Sequence, residues 1–450
     1  MSRESEKLYE AVGQASDGQI EEAQSPRRHR RLRWIAPLAA VLALAILLTA
    51  VLSGPGGGSA YAVAEAEYPK RSQVMAAPVQ AETLEGFLRS SLPLLLAGQA
   101  GENKVCSPLN IYMALSMLAE TASGSSRAQL LELLGAEDME TQRQTAQQLW
   151  ERTYYSDEGG KCLLASSLWL DNSFRYKKET VKLLAEEYYA SVFRGDLGSE
   201  KLNKALQRWL NEQTGGLLKE QADNVILPPD AVLALASTVF FKSTWSIEFQ
   251  ERLTEEQIFA GPKGEIRCPF MHGSEEGMYY RGEGFTAAVK SFSNGYRMLF
   301  VLPEEGASPE ALLTEGEFMD FLTRGVSAWE QNERVKLNFS LPRFDLSCDM
   351  DLKPVLEELG ATDILDPVLA DFSSITDTAA SVTAATHACR VKVDEEGCEA
   401  AAFTVVIAAG GMPLEPPREV DFTLDRPFLF AILSRGGSPL FMGVVNDPTA

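Results

Sequence analysis

Acid–base chemistry near neutral pH falls most readily to histidine, and this chain has only three: His29, His272 and His387. A Ser-His-Asp relay would need one of them beside an activated serine. The sequence contains no G-x-S-x-G elbow, no H-E-x-x-H, no Walker loop and no dinucleotide fingerprint. The six cysteines, at 106, 162, 268, 348, 389 and 398, show no C-x-x-C spacing, so neither a zinc site nor a thioredoxin-type motif is indicated. Cys106, Cys162 and Cys389 lie in apolar stretches and read as small buried hydrophobes, although disulfides are open to the thiols outside a cell. No cofactor or metal is implied. The unusual stretch is a different one, VDEEGCEAAAFTVVIAAGGMPLEPPREVDF, from Val393 to Phe422. It starts charged, passes through small and β-branched residues without polar alternation, and ends in glycines and prolines. It is either a core strand followed by a long loop or a strand held in reserve.

The surrounding elements must position that stretch. In SPLNIYMALSMLAETASG (Ser107–Gly124), apolar residues fall at helical spacing, with Ser107 as cap, Pro108 in the first turn and Gly124 past the end. LNKALQRWLNEQTGG is a second amphipathic helix closed by glycine. ALASTVFFKSTW, GYRMLFVLPEEG, RVKLNFSLPRFDL, RPFLFAIL and PLFMGVVNDP are each of strand length and bounded by turn chemistry. Helices ahead of strands indicate an α+β fold built on large, mostly antiparallel sheets.

Eight stretches, in order, carry a resemblance: SPLNI, LNKALQRWLNEQTGG, STVFFKSTW, LPRFDLS, DLKPVLEELG, VDEEGCEAAAFT, DRPFLF and PLFMGVVNDP. From Glu82 to Ala450 the chain resembles a serpin, the serine-protease-inhibitor family, of bacterial type. The resemblance implies helices packed on large sheets, an exposed reactive-centre loop and no catalysis of its own. It also implies how such a loop works. A target protease cuts it, forms an acyl-enzyme and is carried across the inhibitor as the cleaved loop enters the main sheet, before the ester can hydrolyse. The partner would be a serine protease, bound covalently and once.

The residues meet the demand of insertion. An inserted strand buries alternate side chains, and from Cys398 these are Ala400, Ala402, Thr404, Val406 and Ala408. All are small or β-branched. The other register carries Glu399, Ala401, Phe403, Val405 and Ile407, so a slip by one would bury Glu399. Glu396, Gly397, Cys398, Glu399, Ala400, Ala401, Ala402 and Thr404 are therefore the expected hinge. Counting from Gly397 with the family spacing puts the reactive bond at Gly411–Met412; Met412–Pro413 and Leu414–Glu415 compete. No Lys or Arg lies between Gly397 and Pro417, and IAAGG precedes the cut. That favours an elastase- or subtilisin-like target over a trypsin-like one.

The resemblance also marks a sheet-opening region. Ser107 and Asn110 fall where the family places hydroxyl residues beneath the sheet, and Asn110 replaces the usual serine. Ser237 stands where asparagine is common. His387 matches the network's histidine, and Trp245 the tryptophan where the loop enters, with plain core packing as the alternative for Trp245.

The N-terminus is a different kind of sequence. RRHRRLR (Arg27–Arg33) precedes WIAPLAAVLALAILLTAVL (Trp34–Leu52), whose only polar side chain is Thr49. Nineteen residues of helix rise about 28 Å, enough to cross a hydrocarbon core, and the basic flank marks the cytoplasmic side. The expected organisation is a cytoplasmic tail at 1–33, a membrane anchor at 34–53, a linker at 54–81 and the main domain, outside the cell, at 82–450. AYA at Ala60–Ala62 offers the alternative of a cleaved signal and a secreted domain. The net charge of −22 argues against nucleic acid, which needs clustered Lys and Arg. A monomer is expected. Two other readings remain: a non-inhibitory binding protein of the same fold, and a membrane-anchored hydrolase.

Overall fold

A computed structural model describes residues 61–66, 82–98, 101–157, 160–216, 219–228, 231–323, 332–398 and 417–450. In chain order the first part comprises β1 (Tyr61–Ala64), α1 (Glu82–Leu95), β2 (Lys104–Cys106), α2 (Pro108–Thr121), α3 (Gly124–Leu134) and α4 (Met139–Thr153). Next come β3 (Tyr155–Asp157), β4 (Gly160–Asp171), α5 (Lys178–Glu187), β5 (Ala190–Gly195), α6 (Glu200–Gln213), α7 (Lys219–Asp223) and β6 (Leu233–Thr244). A strand-rich stretch follows with β7 (Glu255–Gly261), β8 (Gly264–Gly282), β9 (Phe285–Ser291) and β10 (Arg297–Pro303). Short helices α8 (Pro309–Leu312) and α9 (Gly316–Thr323) lead to β11 (Asn332–Pro342), β12 (Phe344–Asp351) and α10 (Lys353–Glu358). The chain closes with β13 (Thr386–Val393), β14 (Gly397–Cys398), β15 (Glu419–Thr423), β16 (Phe428–Leu433) and β17 (Pro439–Val445).

The strands form two sheets. One has eight strands in the order β1-β5-β4-β6-β14-β13-β12, with β3 on β4; the other has nine, β15-β11-β8-β9-β10-β16-β17-β2, with β7 on β8. Most pairs are antiparallel, and β4–β5 and β11–β15 are parallel. One shared core fills the space between helices and sheets, running from Leu84 in α1 to Val445 in β17. The α+β expectation holds.

Helix α2 begins as its sequence says: the Ser107 side chain accepts from the Asn110 N–H, and Pro108 occupies the first turn, where a missing N–H costs nothing. Its end is different. The helix stops at Thr121, and Gly124 opens α3 with φ +53° instead of closing α2. The quoted run RVKLNFSLPRFDL also splits: Arg343 separates β11 of the larger sheet from β12 of the smaller one. Within the expected linker at 54–81, Tyr61–Ala64 is an edge strand, pairing Tyr61 with Arg194 and Ala62 with Phe193. Part of that linker therefore belongs to the folded body. The apolar segment 34–53 and the tail 1–33 lie outside the described residues. Among the described residues no helix is long and apolar enough to cross a membrane.

Candidate functional site

The site is the line between β6 and β13, with β14 standing between them at one end. Cys398 pairs with Ser243 of β6 on one side and with Val393 of β13 on the other; Gly397 pairs with Thr244. Gly397 is required by closeness: a Cβ there would come 2.2 Å from the Ser243 carbonyl oxygen. A tight turn reverses the chain from β13 into β14. The Asp394 N–H donates to the Gly397 carbonyl at 3.0 Å, and the Asp394 carboxylate accepts from the Glu396 and Gly397 N–H groups at 3.1 and 3.2 Å. Of the expected hinge residues, Glu396 lies in this turn and Gly397 and Cys398 form β14. Glu399, Ala400, Ala401, Ala402, Thr404, Gly411 and Met412 lie outside the described residues.

At this end the turn is held by aromatic and charged groups. The Trp245 N–H donates to the Glu396 carbonyl at 2.9 Å, and its indole N–H donates to the Asp394 carbonyl at 2.9 Å. Its ring stacks on Phe292 with centroids 4.4 Å apart. Trp245 is therefore both core packing and a direct support of the turn. The Glu395 carboxylate is buried and accepts from the Arg343 Nε at 2.8 Å, from a second Arg343 nitrogen and from the Thr254 hydroxyl. Burial works against its ionised form, yet these hydrogen bonds outweigh burial and hold its pKa below the ordinary value. An open cavity of about 440 Å³ lies alongside, walled in part by Arg343, Lys392 and Glu395.

Behind Trp245 sits a buried cation that sequence reasoning missed. Lys290 of β9 is 2% exposed and pairs with the Glu275 carboxylate. Its ammonium donates to the Ile247 carbonyl at 2.9 Å and lies 4.5 Å from the Phe249 ring centroid and 5.5 Å from that of Trp245. Burial lowers the lysine pKa, and Glu275 opposes that shift. AAVKSF gives no sign of this; only an ion-pair partner on β8 makes a charge tolerable there.

Halfway along β6 lies a second polar cluster. The Ser107 N–H donates to His387 Nε2 at 3.0 Å, which fixes that nitrogen as an acceptor, and the Ser107 hydroxyl donates to the Leu440 carbonyl at 2.6 Å. Complete burial pushes the His387 pKa down to about 4, so the ring is neutral. Asn110 Nδ2 donates to the Ser237 carbonyl at 3.1 Å, and the Ser237 hydroxyl donates back to Asn110 Oδ1. The two departures from the family pattern therefore compensate each other: the amide comes from helix α2 and the hydroxyl from strand β6. The expected residues Ser107, Asn110, Ser237 and His387 are thus joined in one place, and Trp245 is placed at the turn.

These residues do not form a hydrolase. The Ser107 hydroxyl is spent on a carbonyl, and His387 meets its N–H, not its oxygen. His272 is paired with Gln257 at 3.0 Å.

Comparison with known proteins addresses the family and the fold. The model of the family described as Serpin (serine protease inhibitor) matches residues 90–448. Alpha-1-antiproteinase 2 of Equus caballus is 30% identical over 358 residues, covering 76% of this chain and 81% of that protein. Among solved structures, the thermophilic serpin tengpin in its native state superposes with a TM-score of 0.73 at 24% identity, over 86% of this chain and all of tengpin. Human thyroxine-binding globulin in complex with its ligand superposes with a TM-score of 0.69 at 21% identity, over 83% of this chain and 100% of that one.

Proposed function

The chain belongs to the serpin family, and from that premise we propose that it is a suicide inhibitor of elastase- or subtilisin-like serine proteases. Its fold is the serpin fold, and like other serpins it is not a catalytic enzyme. The supporting observation is a register. Extending the Cys398–Ser243 pairing along an antiparallel strand would bring Ala400 opposite Phe241, Ala402 opposite Val239, Thr404 opposite Ser237 and Ala408 opposite Leu233. Leu233 is the first residue of β6, so the strand has room for the loop through Ala408. Extending the Val393–Cys398 pairing the same way would set Thr404 opposite His387. The alternating set from Cys398 to Ala408 would face the inner side of β6, where Val239 and Phe241 join the core. A charge or a large ring in that set would not fit; none occurs.

In this reading the protease serine attacks the Gly411 carbonyl and the Met412 amine leaves, giving an ester to the loop. The loop then enters between β6 and β13, starting from the turn that Trp245 and Glu395 hold open to it. Eleven residues of strand, Cys398 to Ala408, span about 34 Å and carry the ester away from where it formed. The trap works if this travel outruns deacylation. Thyroxine-binding globulin shows that the fold also carries ligand binding; the uncharged alternation favours the inhibitor. We further propose that residues 34–53 hold the domain on the outer face of a cell membrane, the alternative being release after Ala62.

The test is to mix the full chain with pancreatic elastase or subtilisin. A complex that survives boiling in detergent is expected, together with a C-terminal peptide beginning at Met412. Efficient trapping of trypsin alone, or a cut outside Ala408–Glu415, overturns the assignment of the bond and the target class. Cleavage without any stable complex overturns inhibition itself.

A further inference from the structure

Cys348 and Cys389 are register partners on the adjacent strands β12 and β13. Among the described residues, theirs is the one cysteine–cysteine pair in either sheet. Cys106, Cys162, Cys268 and Cys398 face Met442, Phe241, Gln257 and Ser243. Both thiols lie on the inward face, since burial alternates along β12 at Phe344 and Leu346 and along β13 at His387, Cys389, Val391 and Val393.

The spacing suits a bond. At the end of the same register the Leu352 N–H donates to the Ala385 carbonyl at 2.6 Å, so pairs an even number of residues away, including Cys348–Cys389, are hydrogen-bonded pairs. Such pairs have Cα atoms about 5.5 Å apart, inside the range of roughly 4.4–6.8 Å that disulfides span. The two sulfurs also differ in access. Cys389 is 3% exposed and its thiol donates to the Val105 carbonyl at 3.2 Å; Cys348 is half-buried and reachable from solvent.

We propose that Cys348 and Cys389 are a redox pair that closes to a disulfide when the protein meets a pool of thiol–disulfide oxidant. The Cys348 thiolate attacks one sulfur of a disulfide RSSR and expels RS⁻. The Cys389 thiolate then attacks the Cys348 sulfur and expels the second RS⁻. Two electrons pass to the oxidant, and the two protons released by the pair leave two RSH. Burial raises both thiol pKa values, so closure is slow at neutral pH and faster in mild alkali. The bond would staple β12 to β13, on the side of β13 away from β14, and so leaves the line of insertion untouched. The proposal stands independently of inhibition.

The probe is oxidised glutathione, applied to the full chain in detergent, with dithiothreitol-treated protein as reference. After denaturation and alkylation, peptide mapping should find Cys348 joined to Cys389 in the oxidised sample only, with a raised Tm. The link should survive in Cys106→Ser. Alkylation of both thiols in the oxidised sample, glutathione retained on Cys348, or a link from Cys106 to Cys389 would each overturn the pair.

Discussion

Along β16 and β17 every residue from Phe428 to Leu433 and from Pro439 to Val445 is buried, and five register pairs join β16 to β10. Along β6 the residues Leu233–Ser237 are only half-buried, and the described link from β6 to β13 is the two-residue strand β14. The first region is fixed by apolar burial, which is non-directional and costly to undo. In the second, β6 is paired with β4 from Leu233 to Ser243, but its seam towards β13 is bridged, among the described residues, by few, directional polar contacts, each worth about 1 kcal/mol net. On the proposed mechanism, the sheet that stays closed and the sheet that parts are thus built from different forces within one core.

The largest effect that would sharpen this contrast is Thr404→Arg. An unpartnered guanidinium facing Ser237 and His387 would cost the inserted state about 5 kcal/mol. The stable complex should vanish while cleavage continues, read as a change from complex to cut inhibitor on a denaturing gel. Trapping at wild-type yield would break the register. In the closed sheet, Phe430→Ala removes a ring that is 1% exposed and 5.2 Å from that of Phe344. It should cost about 4 kcal/mol in denaturant unfolding, while the folded fraction still traps protease. Loss of trapping in that folded fraction would mean that the two sheets are not separable.

Acid should act on the parting sheet through His387. Its folded pKa of about 4 lies below the ordinary value of 6.5. Between those values the unfolded chain binds the proton and the folded one does not. Its contribution is therefore complete above about pH 6.5 and is lost as the pH falls towards 4, by about 3 kcal/mol in all. His387→Gln should flatten that part of the stability–pH curve; an unchanged slope would place the acid sensitivity elsewhere. The smallest effect concerns the exchanged pair. Asn110→Ala leaves the Ser237 hydroxyl without its acceptor and should cost about 1–2 kcal/mol. The double change Asn110→Ser, Ser237→Asn should recover most of it, a coupling readable in a double-mutant cycle.

The sequence reading succeeded where chemistry is local and failed where a partner lies far along the chain. The cap at Ser107 and the strand at RPFLFAIL are each visible within a dozen residues. The Arg343–Glu395 clamp joins the β11–β12 link to the turn after β13, the Lys290–Glu275 pair joins β9 to β8, and nothing near Lys290 announces a buried charge. Asn110 and Ser237, each taken alone, read as separate departures from the family pattern; their hydrogen bonds cross from α2 to β6. β1 escaped notice because YAVA is short and follows a glycine-rich tether, so that only its partner β5 makes it a strand.

The most direct measurement is a structure of the protein after cleavage of its loop by elastase or subtilisin. Residues 398–408 should form a strand between β6 and β13, with Thr404 opposite Ser237 and His387. Direct pairing of β6 with β13, with the cut loop outside the sheet, would contradict the account.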